Sequence, residues 1–179
     1  MTANVTASRA CRPLVAAPLV IAAGSAFALA AAWFFQLVVG LAPCPLCLDQ
    51  RIAYYIGVPL GLAAAGLAAR GRPTLARGLL VALGLAMLAN AGLATYHAGV
   101  EWGFWPGPTS CTGAPVFAPG DILSQLKQAR VPRCDEAAWR LLGISMAGWN
   151  TLIAAALAAV AAAGATRTAA SCRRTAPGA

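Results

Sequence analysis

The stretch LVAAPLVIAAGSAFALAAAWFFQLVVGL, at residues 14–41, contains no charged side chain. It is longer than the ~20 apolar residues that an α-helix needs to cross the hydrocarbon core of a bilayer. With 28 residues it also exceeds the apolar core of a cleavable secretory signal, so it is interpreted as a permanent membrane span.

Three more apolar runs follow, at residues 52–69, 78–96 and 141–165. Lipid satisfies no backbone hydrogen bonds, so only helices and closed barrels can cross it. Barrel strands alternate polar and apolar residues, whereas these runs are apolar on all sides. The sequence therefore predicts an all-α fold, a four-helix transmembrane bundle that forms a single membrane domain over residues 1–179.

The composition excludes several other classes of protein. The chain is 60% hydrophobic and 10% charged, with a mean hydropathy of +0.71, whereas a soluble domain carries about 25% charged residues. Disordered chains need low hydrophobicity, so that class is excluded as well. The net charge is +8, but the basic residues lie between apolar runs and not on a polar face. This pattern argues against nucleic acid as a partner and for a lipid bilayer.

The distribution of basic residues predicts the orientation, because cytoplasmic segments of membrane proteins are enriched in Lys and Arg. The two ends of the chain and the loop after the second span hold eight basic residues and no acidic one. The other two loops, 42–51 and 97–140, hold five of each sign. We therefore expect both termini in the cytoplasm and both of these loops on the outer, periplasmic side of a bacterial inner membrane.

The same topology divides the six cysteines. Cys11 and Cys172 fall on the cytoplasmic side, where thiols are kept reduced, and are interpreted as incidental. The other four fall in the outer loops and are Cys44, Cys47, Cys111 and Cys134. Four cysteines allow three pairings. One bridge within each loop is the simplest, and the two alternatives link the loops.

Cys44-Pro45-Leu46-Cys47 is a Cys-X-X-Cys motif at the entrance of the second span. This spacing is typical of redox-active dithiols, and a helix N-terminus lowers the pKa of a thiol placed there. Arg51 follows Cys47 by four residues and so shares its helical face. It is a candidate to stabilise a thiolate or an anionic partner in the lipid. The alternative is that Arg51 only extends its side chain to the lipid headgroups.

The long loop has features of an interfacial segment. Trp102, Phe104 and Trp105 fit the aromatic belt of a membrane surface, and residues 121–130 fit a short amphipathic helix lying on the bilayer. Cys111 lies in a stretch rich in Gly and Pro, where we expect it to be exposed to another protein. A Cys111–Cys134 bridge in such a loop would be of the exchangeable kind. His97, the only histidine, ends the third span as an interfacial or titrating residue.

Together these residues resemble the family of disulfide bond formation protein B (DsbB). The stretch from Cys44 to Arg51 is similar to the C-x-x-C-x-x-x-R of that family. Further similarity lies in Tyr96-His97, Cys134-Asp135-Glu136, Trp139, Leu142-Gly143 and Met146-Ala147-Gly148-Trp149. The resemblance implies an inner-membrane enzyme that reoxidises a periplasmic, DsbA-like dithiol protein and passes electrons to a quinone, either ubiquinone or menaquinone, without a metal.

The resemblance also implies roles for individual residues. Cys111 of a Cys111–Cys134 bridge would form the mixed disulfide with the partner protein. Cys134 would then exchange with the Cys44–Cys47 pair through Cys44.

On the membrane side, the resemblance implies that Cys47 faces the quinone. Arg51 would hold a quinone oxygen, and His97 would contact the quinone as well. Gln50 departs from the family pattern, because many relatives carry an acidic residue there.

Three other classes fit the sequence less well. An enzyme like vitamin K epoxide reductase is disfavoured, because its loop cysteines precede the Cys-X-X-Cys motif. A structural zinc site is disfavoured, because Cys111 and Cys134 are not a closely spaced ligand pair. A structural membrane protein stapled by two bridges is compatible with the composition, but the position of Arg51 argues against it.

Overall fold

The computed structural model describes residues 12–112 and 133–174. Four long helices dominate it, and their bounds are α1 Arg12–Leu37, α2 Pro45–Ala69, α3 Pro73–Glu101 and α5 Met146–Arg174. The connection from α3 to α5 contains a short helix α4 and two short strands, with the bounds Thr109–Thr112 for α4, Arg140–Leu141 for β1 and Ile144–Ser145 for β2. All four long helices contain a segment long and apolar enough to cross a membrane. The prediction of a four-helix transmembrane fold is confirmed.

The helix ends differ from the predicted span ends. Helix α2 begins at Pro45, so most of the predicted loop 42–51 is helical. Helix α3 continues to Glu101 and therefore contains His97. Hydropathy stops a span at the first polar residues, whereas backbone hydrogen bonding continues until a cap ends it. Cys11 and the surface helix expected at 121–130 lie outside the described residues.

The helices form a closed ring of four in which each packs against two neighbours. Helix α1 packs against α2 and α5, and α3 packs against the same two. The shared core alternates large apolar residues with alanines, and the alanines permit close helix packing in lipid. Its buried members are Leu14, Ala17, Ile21, Tyr54, Ala68, Ala76, Leu80, Leu83, Met87, Leu157, Ala161 and Ala165. Large apolar side chains such as Phe27 and Leu85 are exposed on the outside, as expected for surfaces that face lipid.

Helices α1 and α2 touch at their backbones near Gly61. A Cβ atom at Gly61 would lie 2.7 Å from the carbonyl oxygen of Pro18 and 3.0 Å from the Cβ atom of Ala22. Real Cβ atoms do not approach backbone oxygens this closely, so only glycine fits without a shift of the helices. This contact sets the separation of α1 and α2, and therefore the position of the start of α2.

A tight hairpin joins the long connection to α5. Arg140 pairs with Ser145 and Leu141 with Ile144. The two residues between the strands, Leu142 and Gly143, have φ values of 54° and 81°, as a type I′ turn requires. Ser145 then accepts a hydrogen bond from the backbone N–H of Gly148 at 3.2 Å, which caps the first turn of α5. The hairpin thus fixes the chain that follows Cys134 to the start of α5.

Candidate active site at the loop end of the bundle

The Cys-X-X-Cys motif spans the start of α2. Cys44 is the N-cap residue and Pro45 follows in the first turn, where its fixed φ suits a helix start. The Sγ atom of Cys44 accepts a hydrogen bond from the backbone N–H of Cys47 at 3.3 Å, and the two Sγ atoms are 2.6 Å apart. Both residues are free thiols. The hydrogen bond to Cys47 and burial raise the pKa of the Cys44 thiol.

A chain of side-chain hydrogen bonds orients His97 toward Cys44. The hydroxyl of Tyr54 donates to Asn150 Oδ1 at 2.5 Å, and Asn150 Nδ2 donates to Gln50 Oε1 at 2.6 Å. Gln50 Nε2 then donates to His97 Nδ1 at 2.8 Å. This leaves His97 Nε2 facing Cys44 Sγ at 3.7 Å. The chain therefore fixes both the ring orientation and the nitrogen that carries the proton.

Gln50 and Tyr54 were not predicted to take part in the site. From sequence, Gln50 stands out only as a departure from a family pattern. Both residues lie on the buried face of α2, together with Leu46, Gly57 and Gly61. Polar side chains at four-residue spacing on the buried face of a membrane helix are a signal for interhelical hydrogen bonds, and this signal is present in the sequence.

The loop cysteines meet the Cys-X-X-Cys motif in the same cluster. Cys111 and Cys134 form a disulfide with a Cα–Cα distance of 5.3 Å. The Sγ atoms of Cys44 and Cys134 and a ring nitrogen of His97 all lie within 4.8 Å of one another. Cys111 is in the same buried cluster but outside this closest group. The structure thus brings together all four predicted cysteines and His97.

The expected exposure of Cys111 is wrong. The Cys111 side chain is 3% exposed and that of Cys134 is 0% exposed. The reason is packing, because Leu46 and Val100 bury the bridge from the ends of α2 and α3.

Glu101 is a further buried group at the site. It lies one helical turn after His97, with Oε1 3.9 Å from His97 Nε2 and a side chain that is 5% exposed. In the sequence, Glu101 counts only as one of five acidic charges of the outer loops. Its four-residue spacing from His97 on α3 is the signal that could have identified it.

Arg51 faces α1 at the edge of the bundle. Its NH1 donates to Gln36 Oε1 at 2.7 Å, and its guanidinium carbon lies 5.7 Å from the ring centroid of Trp33, within the range of a cation–π contact. The indole N–H of Trp33 donates to the Tyr55 hydroxyl at 3.0 Å. Gln36 and Trp33 lie in the uncharged stretch 14–41, where no site residue was predicted.

Comparison with known proteins identifies the family. Residues 15–164 match the family model described as disulfide bond formation protein DsbB. The chain belongs to the DsbB family. It is 37% identical over 136 residues to a disulfide bond formation protein B of Shewanella sp. strain MR-4, covering 72% of this chain and 74% of the relative. It is 33% identical over 137 residues to one from Xylella fastidiosa strain Temecula1, covering 73% and 77%. No solved structure matches the chain significantly.

Family membership and the four membrane-spanning helices together give the general role. This DsbB-family chain is a multi-pass protein of the inner membrane that takes part in disulfide bond formation as a disulfide oxidoreductase. The cluster of two cysteine pairs at one end of the bundle is the arrangement that such chemistry needs, because disulfides exchange only between sulfur atoms that can touch.

Proposed function

We propose that the chain reoxidises a periplasmic, thioredoxin-like dithiol protein of the DsbA type and passes the two electrons to a membrane quinone. The observation that carries the proposal is the juxtaposition of Cys44 and Cys134, whose Sγ atoms lie within 4.8 Å of each other. Cys134 belongs to the bridge of the loop and Cys44 to the thiol pair at the membrane edge. Electrons can therefore pass from one pair to the other by direct exchange.

The first half of the proposed reaction takes place at the loop bridge. A thiolate of the partner attacks Cys111 Sγ, which forms a mixed disulfide and releases the Cys134 thiolate. The second partner thiol attacks the mixed disulfide, so the partner leaves oxidised and both loop cysteines are left reduced. Two electrons and two protons have then moved from the partner to the chain.

The second half restores the loop bridge. The Cys134 thiolate attacks Cys44 of an oxidised Cys44–Cys47 pair and releases Cys47. Cys111 then attacks Cys134, which closes the loop bridge again and releases Cys44. The chain now holds a Cys111–Cys134 disulfide with Cys44 and Cys47 as thiols, the combination present in the structure.

The residues around Arg51 suit a quinone headgroup. The Arg51 guanidinium can donate a hydrogen bond to a quinone carbonyl oxygen. The neighbouring Trp33 indole offers a flat apolar surface to the quinone ring. Val38 and Ile52, near this position, are 70% and 55% exposed, which suits contact with an isoprenoid tail in lipid. When bound, the quinone supplies an acceptor for two electrons and two protons.

His97 has a separate part in the proposal. Its Nε2 atom faces Cys44 and carries the ring proton, because Gln50 donates to Nδ1, so the imidazole is placed to stabilise a Cys44 thiolate by a hydrogen bond as the pair is oxidised. The hydrogen bond from Gln50 keeps the ring in this orientation. The same N–H can donate a hydrogen bond to a quinone oxygen that approaches from the membrane edge.

The proposed orientation places the cysteine end in the periplasm. The support is the charge distribution along the sequence, since the two ends of the chain and residues 70–77 hold eight basic residues and no acidic one, as is typical of cytoplasmic segments. Both termini are then cytoplasmic. An oxidising periplasm also allows the four clustered cysteines to form disulfides.

The decisive test combines the purified full chain in detergent with a water-soluble quinone analogue and a reduced thioredoxin-like oxidant. We expect oxidation of the partner that depends on quinone, with one quinone reduced per partner disulfide formed. A Cys44→Ser, Cys47→Ser double variant is the control and should show none. Partner oxidation at the same rate without quinone would contradict the proposal.

Arg51→Ala is expected to raise the apparent KM for quinone while leaving thiol exchange with the partner intact. Hydrogen bonds to charged groups contribute about 1.5–3 kcal/mol, which corresponds to roughly a 10–100-fold higher KM. Steady-state quinone reduction at saturating partner concentration measures the change. Arg70→Ala, at the opposite end of α2, is the matched control. An unchanged KM in Arg51→Ala would show that Arg51 contacts headgroups and not quinone.

A further inference from the structure

Three buried side chains at the site have the chemistry of a metal-binding group. The Sγ atoms of Cys44 and Cys134 and a ring nitrogen of His97 lie within 4.8 Å of one another, and all three residues are buried. Thiolate sulfur and imidazole nitrogen are the ligands that Zn²⁺ prefers, usually in a tetrahedral arrangement. These three residues leave one tetrahedral position open for a water molecule.

We propose that the fully reduced chain binds a divalent metal ion of the zinc class through Cys44, Cys134 and His97. The site forms only on reduction, because in the oxidised chain the sulfur of Cys134 is bonded to Cys111 and a disulfide sulfur is not the thiolate that zinc binds. The sequence disfavours zinc because Cys111 and Cys134 are far apart in the chain. The fold forms a different group, which includes Cys134 and leaves Cys111 out.

The surroundings of His97 support this assignment. Metal-binding histidines donate their second ring N–H to an acceptor, which fixes the ring, so on binding the proton would move to Nδ1 and the Gln50 amide would turn its Oε1 toward it. Here Gln50 contacts Nδ1 at 2.8 Å, so Nε2 is the nitrogen directed at Cys44. The Asn150 and Tyr54 side chains hold Gln50 in turn. The imidazole is thus oriented toward the sulfur atoms before any metal arrives.

Binding of the metal ion changes the protonation state of the cysteines but not their oxidation state. Each thiol that becomes a ligand loses its proton to solvent, and an S–metal bond replaces the S–H bond. No electron moves, so no further oxidant or reductant is needed. The bound ion would withhold Cys134 from disulfide exchange and would prevent Cys44 and Cys47 from pairing. The inference goes beyond the proposed function, because it requires only reduced cysteines and neither a quinone nor a partner protein.

The test uses Co²⁺ as a spectroscopic probe and Zn²⁺ as a competitor. The full chain carries Cys11→Ser and Cys172→Ser, so that only the four clustered cysteines are present, and it is reduced with a phosphine under nitrogen in detergent. We expect one Co²⁺ per chain, with the visible bands of a tetrahedral site and a thiolate charge-transfer band, both removed by Zn²⁺. The same chain with its loop bridge intact should show neither. Equal spectra from the reduced and oxidised chains would overturn the proposal.

Two single variants distinguish a specific site from incidental thiol binding. Cys134→Ser should abolish the tetrahedral spectrum, whereas Cys111→Ser should bind Co²⁺ as the parent does. Both lack the loop bridge, so each controls for the stability of the other. Gln50→Leu should weaken binding about 10–100-fold, the usual effect of losing the hydrogen bond behind a metal-bound histidine. Equal binding by Cys134→Ser and Cys111→Ser would contradict the assignment of ligands.

Discussion

Cys134→Ser is expected to accumulate a mixed disulfide with the oxidised partner protein, whereas Cys111→Ser is expected to form none. In Cys134→Ser the remaining loop thiol, Cys111, attacks the partner's disulfide and no neighbouring loop thiol can displace the partner. In Cys111→Ser the remaining thiol belongs to Cys134, which lies beside Cys44. We expect it to pair with Cys44 and not with the partner.

Non-reducing gel electrophoresis measures the adduct, and mass spectrometry after thiol alkylation locates the bond. Both variants should lose quinone-linked turnover completely, since neither can form the loop bridge, so loss of activity alone does not separate them. The informative quantity is the ratio of trapped partner in the two variants. Equal trapping would show that the partner does not select Cys111, and would overturn the proposed order of steps.

Gly61→Leu is expected to destabilise the bundle by overpacking the contact between α1 and α2. Even a Cβ atom at this position would lie 2.7 Å from the Pro18 carbonyl oxygen, and a backbone atom cannot move aside as a flexible side chain does. Overpacking of a tight interface costs about 1–3 kcal/mol. Because the contact is with backbone, we expect the upper end of that range, together with a lower Tm in detergent.

Gly92→Leu is the matched control for this effect. Gly92 also lies within a membrane-spanning helix, but no other described part of the chain lies within 4 Å of the position that a Cβ atom would take there. Each replacement removes one glycine from a helix and adds the same leucine side chain. Thermal unfolding should therefore separate the packing cost at Gly61 from the gain in helix propensity that both share. Equal Tm values would show that the approach of α1 and α2 does not depend on Gly61.

The fold was largely predictable because a bilayer allows few solutions. Long uncharged runs must be helices, and the structure has four of them. The helix starts were less predictable. The predicted second span began after Asp49 and Arg51, where hydropathy rises, but α2 begins at Pro45 because Cys44 caps it. Hydropathy marks where lipid begins, whereas capping marks where the helix begins, and the two coincide only by chance.

The cysteines of the site could be selected from sequence, but their arrangement could not. Loop charge and compartment place Cys44, Cys47, Cys111 and Cys134 on one side. That Cys134 and not Cys111 lies against Cys44 depends on how the hairpin before α5 returns the chain. The contact of Arg51 with Gln36 depends on the register of α1 against α2. No local pattern encodes such a register, because it depends on contacts between residues far apart in the sequence, such as Gly61 with Pro18 and Ala22.

The N-cap of α2 links the redox chemistry of Cys44 to the backbone hydrogen bonding at the start of this helix. The sulfur of Cys44 is the acceptor for the amide of Cys47, and in the proposed exchange the same sulfur turns toward Cys134. While it does so, the first turn of α2 loses an end bond of a kind that contributes about 1 kcal/mol in ordinary caps. Under the proposed mechanism we therefore expect each catalytic cycle to fray and rewind the first turn of α2. Deuterium uptake at the Cys47 amide should thus follow the occupancy of the exchange intermediate.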